Sequence, residues 1–345
     1  MPGFSTLVKL LLVAICVHGS SGSDDKQAKS DFKVVILGGG VAGIIAARTL
    51  HEQGIDDFVI IEARDELGGR LRSASFGGKT VEFGANWIQG TQTGDGSANP
   101  IYTLAKKHKV KAQYNDLFGS ITTYDQTGAV DFWTPLIPPM KPMLNLLRRL
   151  VRSRIPNKLV DISSRSAYTL VGAKPLDAHA KAAEYFLFDW EYAQTPDQSS
   201  AIASSWNNNF TFDTDYGGFS EDNLLNIDQR GFKTFIQEEA KEFLTPGQVR
   251  VGSVVKTIAW SGAGVKVILG DGTLISGDYA LCTFSVGVLQ NDDVEFEPSL
   301  PAYKQEAISS ITMATYTKIF LQFPEKFWFD TEERSLFLIF AKPAY

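Results

Sequence analysis

Two short apolar runs bracket a glycine-rich turn and a helical pattern in the stretch from Lys33 to Glu62. The first run, residues 34–37, leads into the sequence GGGVAG at residues 38–43, and the second, residues 58–61, ends on Glu62. A strand, a glycine-rich turn, a helix and a strand, followed by an acid about 20 residues past the glycines, form the dinucleotide-binding fingerprint. This stretch therefore predicts a Rossmann-type α/β fold.

Each glycine of the fingerprint has a predicted task. Gly38 permits a tight turn, Gly40 lacks the Cβ that would block a pyrophosphate, and Gly43 lets the helix pack closely on the strand. The helix N-terminus offers free N–H groups and a positive dipole to phosphates. Glu62, at the end of the second strand, is predicted to accept hydrogen bonds from both ribose hydroxyls. The fingerprint alone does not separate NAD from FAD.

Two motifs beyond the fingerprint separate these cofactors. The sequences EARDELGGR at residues 62–70 and EFGANWIQG at residues 82–90 resemble the flavin-dependent amine oxidase family, and within it the polyamine oxidases of plant and fungal type. The resemblance implies FAD, with Glu62 on the adenosine ribose and Arg70 on the pyrophosphate. A forked guanidinium between glycines suits a diphosphate, although the glycines and Arg70 alone would also fit a surface turn.

The resemblance also implies the remaining cofactor residues. No metal-ligand spacing appears in the sequence, so no metal is expected. The resemblance in the second motif implies that Gly84, Ala85, Asn86 and Trp87 bind the cofactor. A segment matching V-x-x-I implies that the backbone of Val255 contacts adenine.

The substrate side is implied by the sequence DWEYA at residues 189–193, which is similar to a plant-type segment. There Glu191 would face the amine chain; a surface acid at a helix end is the alternative. Gln89 departs from the family, which has Glu or His at this position. Because an amide carries no charge, the substrate tunnel would have one carboxylate fewer, which puts the plant-type specificity in doubt.

A lysine stands in the apolar sequence YTKIFLQFP at residues 316–324. Alternation predicts a strand with Tyr316, Lys318 and Phe320 on one face. From the pattern alone, a lysine with a buried partner and an edge-strand lysine that reaches water are equal alternatives. The resemblance implies the first, with Lys318 holding a water beside flavin N5 and Tyr316 lining the tunnel.

Residues 1–23 have the pattern of a secretory signal peptide: Lys9, an apolar stretch too short to span a bilayer, and a small, polar cleavage zone. The sequence therefore predicts a secreted protein or one within the secretory pathway. Cleavage would leave only Cys282 of the two cysteines, so no intrachain disulfide is expected.

The fold class predicted is α/β, with an FAD-binding Rossmann-type domain carrying an inserted β-meander, interleaved with an α+β substrate-binding domain. Three short strands separated by glycine turns, at residues 254–260, 265–269 and 274–282, form the predicted meander. The predicted domain segments after the signal peptide are residues 31–115 and 228–290 for the FAD domain, and residues 116–227 and 291–345 for the substrate domain.

The resemblance implies oxidation of a secondary amine in a polyamine such as spermine or spermidine, with O₂ as the second substrate. A formal net charge of −6 argues against nucleic acid as a partner. We also expect a monomer without a stable membrane span. Two alternatives stay open: another flavin oxidase of this fold, such as an L-amino-acid oxidase, and a non-catalytic homologue. Because the family continues beyond the position of Tyr345, the expectation is a fragment without oxidase activity of its own.

Overall fold

The computed structural model describes residues 30–114, 121–136, 149–205, 214, 217–327 and 337–341, so the predicted signal peptide lies outside the described residues. Its strands are β1 Phe32–Leu37, β2 Phe58–Ile61, β3 Ser73–Phe76, β4 Lys79–Glu82, β5 Trp87–Gln89, β6 Ala112–Tyr114, β7 Ile121–Asp125, β8 Gly128–Ala129, β9 Asn223–Asn226, β10 Val249–Arg250, β11 Val255–Ser261, β12 Gly264–Leu269, β13 Leu274–Cys282, β14 Glu295–Glu297 and β15 Phe337–Phe340.

The helices of this part of the chain are α1 Val41–Glu52, α2 Pro100–Lys107, α3 Ser164–Leu170, α4 Ala178–Glu184, α5 Trp190–Tyr192, α6 Ala201–Ser205, α7 Thr234–Lys241, α8 Val286–Gln290 and α9 Ala302–Ser310. A π-helix, Tyr185–Asp189, joins α4 to α5, and a 3₁₀ helix, Pro246–Gln248, precedes β10. None of the described helices is long and apolar enough to cross a membrane.

The chain alternates between two compact units. Among the described residues, unit 1 comprises residues 30–86, 103–111 and 226–313. Unit 2 comprises residues 87–102, 112–225 and those from 314 onward, with the gaps given above.

A seven-stranded sheet organises unit 1, in the order β10-β2-β1-β13-β12-β11-β14. β1 pairs in parallel with β2 and with β13, and β11, β12 and β13 form the antiparallel meander that the sequence predicts. Every residue of β2 and the last three of β1 are buried. These strands are continuous apolar runs because both of their faces are covered.

The two faces of β1 and β2 belong to different parts of the core. Ile36, Ala47, Phe58 and Ile60 form one cluster, on the side of α1. Val35, Leu37, Val59 and Ile61 pack with the apolar residues of the meander on the other side. Where β13 passes from β12 to β1, Gly277 faces Phe32 and Val265, and a Cβ there would lie 2.7 Å from Val35 Cγ2.

A buried carboxylate joins three elements of unit 1. Glu239 of α7, 4 % exposed, accepts hydrogen bonds from Arg48 Nη1 (2.9 Å) and Lys107 Nζ (2.6 Å). His108 Nε2 lies 2.7 Å from the same carboxylate, and Lys107 also reaches Glu242 at 2.5 Å. The ammonium of Lys107 thus occupies the position between the two acids, which stabilises the packing of α1 and α2 against α7.

This cluster predicts acid-sensitive stability. Burial acts to raise the pKa of Glu239, but the hydrogen bonds from Lys107, His108 and Arg48 lower it from 4.5 to about 2. Because the folded pKa lies below the unfolded one, the stabilisation is present above pH 4.5 and is lost as pH falls towards 2. It amounts to roughly 3 kcal/mol at about 1.4 kcal/mol per pKa unit. Measured by urea unfolding, the free energy of unfolding of the parent should fall more steeply from pH 6 to pH 3 than that of Glu239→Gln. Parallel slopes would contradict the assignment.

Unit 2 contains two small sheets, β15-β7-β8 and β5-β9-β6. Its main core cluster packs Phe132 and Trp133 against Ala183, Phe186 and Ile339. Helix α2 begins at Pro100, directly after Asn99, whose Oδ1 accepts a hydrogen bond from Ile101 N at 2.9 Å. The helical segment of α4 and α5 runs from Ala178 to Tyr192, and its middle turn is the π-helix.

The predicted strand at residues 316–324 is wrong. The structure describes this segment and assigns no strand to it. Tyr316, Ile319 and Leu321 are 60, 78 and 73 % exposed. Lys318 and Phe320 are only half-buried, so neither face of the segment is buried. Alternation shows only that a strand would be tolerated, whereas a strand forms when a neighbouring strand supplies its hydrogen bonds.

Candidate functional site

The first glycine of the turn has a backbone conformation that other residues rarely adopt. Gly38 has a φ of 108°, and its N–H donates to the Ile61 carbonyl at 2.9 Å. A Cβ at this position would lie 2.5 Å from Thr283 Oγ1. The Thr283 hydroxyl donates to the Leu37 carbonyl at 2.9 Å and fills the space beside the turn.

Gly40 and Gly43 differ in what surrounds them. A Cβ at Gly43 would lie 2.0 Å from the Gly38 carbonyl oxygen, so this glycine allows the close helix–strand contact. A Cβ at Gly40 would meet only Gly69 Cα, at an ordinary 3.7 Å. The protein itself therefore leaves space at Gly40, which fits the pyrophosphate that the sequence predicts there.

The N-terminus of α1 offers the phosphate-binding groups. Gly40 is the N-cap residue of this 12-residue helix, and no side chain caps its first turn. Its first N–H groups have no partner within the helix and carry the positive end of the helix dipole. Such a terminus suits a diphosphate.

Glu62 lies beside the glycine-rich turn and is 8 % exposed. Its Oε2 accepts a hydrogen bond from Gly39 N at 2.7 Å, and its Oε1 accepts one from Arg64 N at 2.9 Å. Each carboxylate oxygen can accept a further hydrogen bond, which leaves capacity for ribose hydroxyls. The contact with Gly39 was not anticipated from the sequence; it adds the shaping of the turn to the predicted role of Glu62.

The segment between β10 and β11 lies next to the end of β2. Ser253 N donates to the Glu62 carbonyl at 2.8 Å, and Gly252 N donates to the Arg64 carbonyl at 2.7 Å. Val255 follows this contact and is 4 % exposed. Val255 also packs in the same core cluster as Ile61, the residue before Glu62. The structure therefore brings the segment that leads into the predicted adenine contact next to the predicted ribose acceptor.

Arg70 follows a segment that is held against the turn. Gly68 N donates to the Gly39 carbonyl at 2.9 Å, and Arg64 Nη1 donates to the Gly69 carbonyl at 2.6 Å. The Arg70 side chain is exposed and forms no ion pair within the described part of the chain. A guanidinium in this position fits the predicted contact with a diphosphate.

The loop of residues 83–86, which we name the cofactor loop, contacts the backbone of Arg70. A Cβ at Gly84 would lie 1.8 Å from the Arg70 carbonyl oxygen. Phe83 N and Gly84 N both donate to the Arg72 carbonyl, at 2.7 and 3.0 Å. Unit 1 thus brings together these predicted cofactor residues: Gly38, Gly40, Gly43, Glu62, Arg70, Gly84, Ala85, Asn86 and Val255.

The other predicted site residues lie in unit 2, on three separate segments. Trp87 and Gln89 belong to β5, where Gln89 pairs with Asn223 and is exposed. Glu191 is half-buried in α5, directly after the π-helix. Irregular turns of this kind occur frequently at functional sites. The Lys318 side chain is half-buried on the segment without strand structure. Their catalytic roles stay predictions.

Comparisons with known proteins agree with this geometry. The family described as flavin containing amine oxidoreductase matches residues 41–339. Polyamine oxidase 1 of Zea mays is 30% identical over 95% of this chain and 67% of its own length. Polyamine oxidase 6 of Oryza sativa subsp. japonica is 31% identical over 89% of this chain and 63% of its own length. The chain thus spans about two thirds of the length of these relatives.

A solved structure shows the same fold. Putrescine oxidase bound to putrescine superposes with a TM-score of 0.62 and 16% identity, covering 81% of this chain and 63% of its own. The dinucleotide geometry and the family match together identify the cofactor as FAD. The chain therefore belongs to the flavin-containing amine oxidoreductase family.

Proposed function

We propose, against the expectation of a fragment without oxidase activity, that the protein oxidises a polyamine at a secondary amine and yields an aldehyde, an amine and hydrogen peroxide. The observation that carries the proposal is the assembled dinucleotide site of unit 1, in which Glu62, the free terminus of α1 and Arg70 line one edge of the sheet. The polyamine oxidase relatives, each about 30% identical, support the substrate class.

The chemistry divides between the cofactor and the chain. When bound, FAD would accept a hydride from the carbon beside the amine and pass the two electrons to O₂, which gives hydrogen peroxide. The imine left on the substrate would be hydrolysed by water to the aldehyde and the amine. The chain would bind and orient the cofactor and the substrate. The carboxylate of Glu191 would attract a cationic amine of the substrate, while Gln89 would accept a hydrogen bond without adding charge. Lys318 would hold a water beside the cofactor, and Tyr316 would line the path of the substrate.

Spermine and spermidine are the proposed substrates, and a visible spectrum of the purified protein tests them. Anaerobic addition of spermine should bleach the flavin absorbance, and air should restore it with release of peroxide. Bleaching by an amino acid alone would favour the L-amino-acid oxidase alternative. A protein that shows flavin absorbance but is bleached by no amine would favour the non-catalytic homologue.

Replacing Glu62 with Gln is expected to weaken FAD binding by at least about tenfold. A hydrogen bond to a charged group typically contributes about 1.5–3 kcal/mol, and about 1.4 kcal/mol corresponds to a tenfold change in Kd. Quenching of flavin fluorescence measures the Kd. Glu66→Gln is the control. Glu66 lies on the same segment as Glu62, but its carboxylate accepts a hydrogen bond from Lys233 Nζ at 2.7 Å. Equal affinities of the two variants would count against a ribose contact.

Replacing Lys318 with Met is expected to preserve FAD binding and to slow flavin reduction or reoxidation at least about tenfold, which is roughly 1.4 kcal/mol of barrier. Stopped-flow absorbance separates the two half-reactions. Lys326→Met removes an exposed lysine of the same segment and should leave both rates unchanged. If both rates of the Lys318 variant are within twofold of those of the parent, Lys318 has no role in the flavin reaction.

We further propose that the protein enters the secretory pathway, on the basis of the pattern in residues 1–23. Expression with and without these residues, followed by detection in the medium, tests this. Retention of the complete chain in the cytosol would contradict it.

A further inference from the structure

Glu82 is a buried carboxylate at the end of β4, directly before the cofactor loop. It is 8 % exposed. Ser73 Oγ donates to it at 2.7 Å, Phe232 N at 2.7 Å and Asn226 Nδ2 at 3.2 Å. A buried carboxylate is costly unless hydrogen bonds satisfy it, and this one draws its donors from β3, β9 and the segment before α7.

Asn226 connects the two ends of the cofactor loop. Its side chain donates to Glu82 Oε1 at the start of the loop. Its backbone N–H donates to the carbonyl of Asn86 at the end of the loop, at 2.8 Å. We name this arrangement of Glu82, Asn226 and Asn86 the clasp.

Between these ends, Gly84 lies against the backbone of Arg70, as described above. The clasp and this contact leave little freedom for the loop to move independently of Arg70. The residues around Glu82 are also closely packed. A Cβ at Gly231 would lie 2.4 Å from Ser73 Oγ, which donates to Glu82, and 3.6 Å from Glu82 Oε1. The shape of the cofactor loop is therefore set by residues that lie outside it.

We propose that Glu82 is a positioning residue for FAD, which acts through Asn226 to hold the cofactor loop and, through Gly84, the backbone of Arg70. The proposal rests on the assignment of this loop to the cofactor. Glu82 does not itself contact the ligand in this scheme. Its hydrogen bonds fix the loop before the cofactor arrives, which lowers the cost of ordering on binding.

Two substitutions at Glu82 separate hydrogen bonding from charge. In Glu82→Gln, the amide oxygen can keep Phe232 N and Asn226, while the amide nitrogen donates to Ser73 Oγ, whose hydroxyl rotates to accept. Glu82→Met has a similar volume but accepts none of these bonds. We expect FAD to bind the Gln variant within threefold of the parent and the Met variant at least tenfold more weakly.

A third variant covers the case in which Glu82→Met fails to fold. Asn226→Ala removes only the side-chain donor and leaves Glu82 with Ser73 Oγ and Phe232 N. It is expected to fold, to bind FAD at least threefold more weakly and to change the vibronic shape of the bound flavin spectrum. Glu239→Gln is the control for general destabilisation, because Glu239 is an equally buried acid of the same unit, 4 % exposed and outside the clasp.

FAD affinity by fluorescence quenching and unfolding temperature are measured for all four variants. Weaker binding by the Met and Ala variants, with rescue by Gln and unchanged affinity in Glu239→Gln, supports the clasp. Affinities of Glu82→Met and Asn226→Ala within twofold of the parent would overturn it, as would an equal loss in Glu239→Gln. If spermine fails to bleach the flavin while these affinities follow the expected order, polyamine oxidation is refuted and the clasp stands.

Discussion

Replacing Gly40 with alanine is expected to raise the Kd of FAD about a hundredfold, or roughly 2.7 kcal/mol, while the fold stays intact. The protein itself tolerates the methyl group, because its nearest neighbour would be Gly69 Cα at 3.7 Å. Gly40 has a φ of −77°, which alanine adopts without strain. The methyl group would instead fill the space at the start of α1 that the pyrophosphate needs.

The measurement compares FAD affinity with the unfolding temperature of the FAD-free protein. Gly247→Ala is the matched control, since a Cβ at Gly247 meets nothing within 4 Å and this residue lies in the 3₁₀ helix, away from the turn. We expect near-parent unfolding temperatures for both variants and a loss of affinity only for Gly40→Ala. Equal affinities would show that the phosphates bind elsewhere.

The nucleotide half of the site could be predicted from the sequence because its determinants are local. Gly38, Gly40 and Gly43 lie within six residues of one another. All of β2 and the last three residues of β1 are buried, so their apolar runs are continuous. The meander was predictable for the same reason, since short apolar runs alternate with glycine turns. The family resemblance then supplied roles for Arg70 and Val255 that spacing alone does not give.

The rest depends on contacts between residues far apart in the chain. Glu82 and Asn226 are 144 residues apart, and Thr283 reaches Leu37 across 246 residues. The sequence carried a signal for the first pair, because Glu82 lies two residues before the sequence GANW at residues 84–87, but nothing in it identified the partner. The strand predicted around Lys318 failed for a related reason: pairing with another strand cannot be inferred from alternation within one segment.

The largest loss of stability is expected for Gly43→Ala, three residues from Gly40. A Cβ here would lie 2.0 Å from the Gly38 carbonyl oxygen and 3.3 Å from Ile36 Cγ2. Gly38 cannot yield readily, because its N–H is bonded to the Ile61 carbonyl and β1 is paired on both sides. Overpacking a tight site typically costs about 1–3 kcal/mol of stability and occasionally more. Because the new methyl group would clash with backbone, we expect Gly43→Ala to lower the free energy of unfolding by about 3 kcal/mol or more.

Urea unfolding of the FAD-free protein measures this loss, with Gly40→Ala as the matched substitution on the same turn. Gly43→Ala should unfold at a clearly lower urea concentration, whereas Gly40→Ala should unfold near the parent. At an FAD concentration that saturates the parent, FAD should stabilise the parent more than either variant, because Gly43→Ala distorts the glycine-rich turn and Gly40→Ala fills the space for the phosphates. A free energy of unfolding for Gly43→Ala within about 1 kcal/mol of the parent would mean that α1 can move away from β1, contrary to the packing described.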